Sequence, residues 1–118
     1  MRVLLVDVDS TIPNIALMRL STYWKQSGYE VILLKLGISI YDKPTTVKVD
    51  TSGYSTVYVS TIFKGTVDNV SFENVNVDTY LDIGGTGSTD ISKRLPKLIE
   101  DCKCDYSIYP ECDMLEVY

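Results

Sequence analysis

The four apolar residues Val3-Leu4-Leu5-Val6, followed at once by Asp7-Val8-Asp9-Ser10-Thr11, constrain this chain more than any other stretch. A run apolar on every position suits a strand covered on both faces, as in a parallel sheet. Beyond the acidic turn, Ala16, Leu20, Tyr23 and Trp24 recur at helical spacing, and Ile12 extends that stripe. Asn14, Arg19, Thr22, Lys25 and Gln26 supply the polar side. Ser10 or Thr11 is available as the helix cap, Pro13 suits the first turn, and Gly28 provides a left-handed stop. Val31-Ile32-Leu33-Leu34 then forms a second strand. Strand, helix and strand in that order make a right-handed parallel unit.

Further along, Gly37 to Tyr54 reads as a long connection in which Val47-Lys48-Val49 supplies at most a short edge strand. Thr56 to Phe63 is β-branched and aromatic and reads as a third main strand, with Ser60 and Thr61 near its carboxyl end. Thr66 to Val77 fits neither period and is expected to be a short helix or an irregular turn. Tyr80 to Ile83 forms a fourth strand, running into Gly84-Gly85-Thr86-Gly87-Ser88-Thr89-Asp90. Pro96 opens a short helix with Leu98, Ile99 and Cys102 inward, and Asp105 to Tyr109 makes a fifth strand. The expected fold is a single α/β domain over residues 1–118: a doubly wound, mostly parallel sheet of about five strands, flavodoxin-like or cobalamin-binding-domain-like.

Parallel strands share one carboxyl end, and ligands of open α/β sheets bind beyond it. Asp7, Asp9, Ser10, Ser60, Gly84, Gly85, Thr86 and Gly87 each end or follow such a strand. They are therefore the candidate ligand-contacting residues, expected to gather at one edge of the sheet. Glycines after a strand let backbone N–H groups approach an anion. A tight turn requiring positive φ explains the same glycines equally well. The series lacks both the spacing of a dinucleotide fingerprint and the lysine of a phosphate loop.

Composition removes several classes. A net charge of −5 argues against a nucleic-acid backbone or an anionic membrane as the main partner. No apolar run approaches the length of a membrane span, and carboxylates interrupt the amino-terminal apolar run, so a cytoplasmic location is expected. The sequence contains no histidine, which excludes His-based triads, proton shuttles and imidazole metal ligands. Cys102, Cys104 and Cys112 are irregularly spaced and read as reduced thiols, and no metal site is assigned to them.

Two resemblances follow from these residues. Asp7-Val8-Asp9-Ser10-Thr11-Ile12 resembles the opening motif of haloacid-dehalogenase-like phosphatases, which implies Asp7 as nucleophile, Asp9 as acid/base and Ser60 or Thr61 as the second motif. The pattern breaks later, because Gly84 to Gly87 stand where that family places the acidic pair completing its magnesium site.

The second resemblance covers nearly the whole chain. Val6 to Ser21, Tyr58 to Phe63, Ile83 to Gly87, Leu95-Pro96 with Ile99-Glu100, and Asp105 to Pro110 occur in an order similar to the amino-terminal domain of a group of radical S-adenosylmethionine proteins. The resemblance implies a Rossmann-like, cobalamin-binding-like module placed before a catalytic barrel, with that barrel as its partner in cis. The iron–sulfur cluster and S-adenosylmethionine are implied only for the downstream barrel, whose C-x3-C-x2-C motif would follow Pro110. Cys102, Cys104 and Cys112 do not have that spacing, and the axial histidine of the cobalamin module is missing. The expectation is a non-catalytic domain that binds no cofactor itself and helps position substrate, cofactor or the barrel. The alternatives are a small phosphatase using Asp7 and Asp9, or a stand-alone α/β module binding a small-molecule ligand or a partner.

Overall fold

The computed structural model describes residues 1–10, 14–38, 46–63, 65–84 and 97–109. Six strands among them form two parallel sheets. The main sheet contains β1 (Arg2–Asp7), β2 (Glu30–Lys35), β4 (Thr56–Ser60) and β6 (Tyr80–Gly84), in the order β2-β1-β4-β6. The smaller one pairs β3 (Val47–Asp50) with β5 (Val70–Glu73). The chain is thus α/β with a mostly parallel sheet, but its strands divide four and two instead of lying in one sheet of five.

β1 is central because both of its faces are apolar: Val3, Leu4, Leu5 and Val6 are all buried. Alternation then assigns the layers. Val3 and Leu5 face Leu17 and Leu20 of helix α1 (Ile15–Gln26), together with Ile99 of the short helix α2 (Lys97–Glu100). Leu4 and Val6 face the other way, into a cluster with Val49 of β3, while Val70 and Phe72 of β5 pack against it. The sheet is covered on both faces, one by helix and one by a β ribbon.

α1 carries its own start and stop signals. The Asn14 side chain accepts from the Leu17 N–H at 3.1 Å, so Asn14 is the N-cap and is buried instead of lying on the polar side. Thr11 and Pro13, expected to open the helix, lie outside the described residues. Leu17, Met18, Leu20 and Ser21 form the buried stripe, with Tyr23 and Trp24 partly buried beside it. Gly28 follows at φ +86°, a conformation that L side chains rarely adopt.

Further expectations need correction. Thr66 to Val77 contains a 3-10 turn (Thr66–Asn69) followed by strand β5. Val70 and Phe72 alternate toward the core, and β3 satisfies the backbone of β5 through the register Val47↔Val70 to Asp50↔Glu73. The third main strand ends at Ser60, not Phe63, because the Asp9 carboxylate accepts from the N–H groups of Ile62 and Phe63. Asp105 to Tyr109 is not a strand. Tyr106–Ile108 is a 3-10 turn, since the Asp105 side chain accepts from the Ser107 N–H at 3.1 Å, a local bond that competes with sheet pairing. Within α2, Ile99 is buried as expected but Leu98 is 67 % exposed.

Candidate functional site

Parallel register sets the carboxyl edge of the main sheet. Asp7 pairs with Lys35 on one side and Ser60 on the other, and Ser60 pairs with Gly84. Lys35, Asp7, Ser60 and Gly84 therefore form one row across four strand ends. Pairing continues slightly past it: the Val8 N–H donates to the Ser60 carbonyl at 3.1 Å and the Thr61 N–H to the Gly84 carbonyl at 3.0 Å. Among the described candidates, Asp7, Asp9, Ser10, Ser60 and Gly84 thus share this edge. Gly85, Thr86 and Gly87 lie outside the described residues. At Gly84 an added Cβ would meet nothing within 4 Å among the described residues.

Every oxygen of the two aspartates is engaged. Asp7, fully buried at 0 % exposure, accepts from the Ser10 N–H at 3.0 Å through Oδ1 and from the Tyr109 hydroxyl at 2.6 Å through Oδ2. Asp9, 2 % exposed, accepts from the Ile62 N–H at 2.7 Å through Oδ1. Its Oδ2 accepts from the Phe63 N–H at 2.8 Å, the Thr66 hydroxyl at 2.5 Å and the Thr61 hydroxyl at 3.2 Å. A buried carboxylate is costly unless its lone pairs find donors, and here they do. Asp9 thereby fixes the loop between β4 and the 3-10 turn, while Asp7 holds the segment that ends at Tyr109.

The remaining polar groups form a bridge between them. Asn14 Nδ2 donates to Ser60 Oγ at 2.7 Å and to Ser10 Oγ at 3.3 Å, tying the start of α1 to the end of β4. Ser10, Asn14 and Ser60 are all buried. Asn14, Thr66 and Tyr109 belong to this cluster, yet sequence reasoning gave none of them a site role. Asn14 carried a usable signal, a capping residue just before a periodic apolar run. Tyr109 carried none, because its partner lies 102 positions away in sequence.

Chemically, this arrangement holds backbone and hydroxyl donors in place. A nucleophilic carboxylate needs an oxygen directed at its substrate, and a magnesium site needs several oxygens directed at one point. Asp9 directs its oxygens into the loop that follows β4. Among the described residues no group of three or more His, Cys, Asp or Glu side chains is placed to hold a metal ion. Cys102 and Cys104 are half-buried free thiols, and the Cys102 thiol donates to the Leu98 carbonyl at 3.4 Å. No helix among the described residues is long and apolar enough to cross a membrane.

No family model, no curated protein and no solved structure matches this chain. The fold and the edge geometry define its class, a small α/β domain with a polar carboxyl edge whose carboxylates are internally bonded.

Proposed function

We propose that the chain is a non-catalytic domain that positions a ligand or a partner domain at its carboxyl edge, and that this partner is the barrel of a radical S-adenosylmethionine protein. One observation carries the non-catalytic part: Asp7 and Asp9, the residues best suited by type to do chemistry, are buried and bonded on all four oxygens. An edge built in this way offers a fixed surface instead of a reactive group. The ordered segments from Val6 to Pro110 support the choice of partner. In that reading the iron–sulfur cluster and S-adenosylmethionine belong to the barrel.

The phosphatase reading is weaker on the same geometry. Its nucleophile and acid/base would have to break the Tyr109 and Ile62–Phe63 contacts before meeting substrate.

The coding sequence immediately after residue 118 tests the assignment of the partner. A C-x3-C-x2-C motif within the next few dozen codons is the expected result. A stop codon there, or a following domain without clustered cysteines, overturns the barrel assignment. The 118-residue chain itself is expected to take up no stoichiometric iron on anaerobic reconstitution, since its cysteines lack the ligand spacing of a cluster. A brown protein with about four irons per chain would contradict this.

A further inference from the structure

We draw no further inference here: the strongest candidate, the buried Ser10–Asn14–Ser60 side-chain cluster at the carboxyl edge of the main sheet, belongs to the site already described, and its hydrogen bonds run within the cluster, with nothing among the described residues to show what else it meets.

Discussion

Asp9 contributes most at the scale of single residues, because one side chain satisfies two backbone N–H groups and two hydroxyls. Asp9→Ala removes the acceptor that holds the Ile62 and Phe63 N–H groups and the Thr61 and Thr66 hydroxyls, the last two on buried residues. The expected loss is about 3 kcal/mol, read from denaturant unfolding, with fast amide exchange at Ile62 and Phe63. An unchanged midpoint would mean that water replaces the carboxylate at no cost. Asp105 makes a prediction about pH. Burial would raise its carboxyl, but hydrogen bonds from Lys25, Ser107 and Ser21 and the Lys25 charge outweigh that and hold it at about 2, against an ordinary 3.8. Between those values the unfolded chain binds a proton that the native chain does not, so this group's stabilisation is present above pH 3.8 and lost as pH falls toward 2. Asp105→Asn should flatten that part of the stability–pH profile and cost about 1–2 kcal/mol near neutrality, the lower end reflecting the partly exposed Lys25. A mutant and wild type with parallel profiles would remove Asp105 from the acid transition.

Elements differ in how much of them the sequence discloses. β1, α1 and β2 were legible because their signals are local: an unbroken apolar run, a helical stripe, a glycine stop and a second run. The alignment of strand ends at Asp7, Ser60 and Gly84 followed from the parallel reading alone. β5 was not legible, since Val70 and Phe72 make a strand only because β3 offers a partner more than twenty positions earlier. Asp105 to Tyr109 misled for the opposite reason. Its alternating residues suit a strand, but one side chain closing on Ser107 turns the backbone. The same competition places the start of α1 at Asn14, which serves as cap and as a bridge to Ser60. Asn14→Ala should cost about 1–2 kcal/mol, the sum of a lost cap and a lost buried hydrogen bond, while Asn14→Asp should retain the cap but not the bond donated to Ser60. Thermal melts of the two variants distinguish these contributions, and equal melting of both with wild type would contradict them.

For the molecule as a whole, the sheet must be covered on both faces, and the chain does this with unequal materials. The ribbon of β3 and β5 does for Leu4, Val6, Val57 and Val59 what α1 does for Val3 and Leu5. Val49→Ala should therefore destabilise the entire domain cooperatively, by about 1–3 kcal/mol, instead of merely loosening the ribbon. Separate unfolding transitions for the ribbon and the main sheet would contradict that. On this frame the carboxyl edge is held by its own carboxylates, and that use of Asp7 and Asp9 is what supports the proposed non-catalytic role. The most direct test is magnesium-dependent hydrolysis of an aryl phosphate by wild type, Asp7→Asn and Asp9→Asn, each checked for folding. Equal, background-level rates in all three are expected. Turnover in the wild type that disappears in both folded variants would show that these aspartates do chemistry, and would contradict the account.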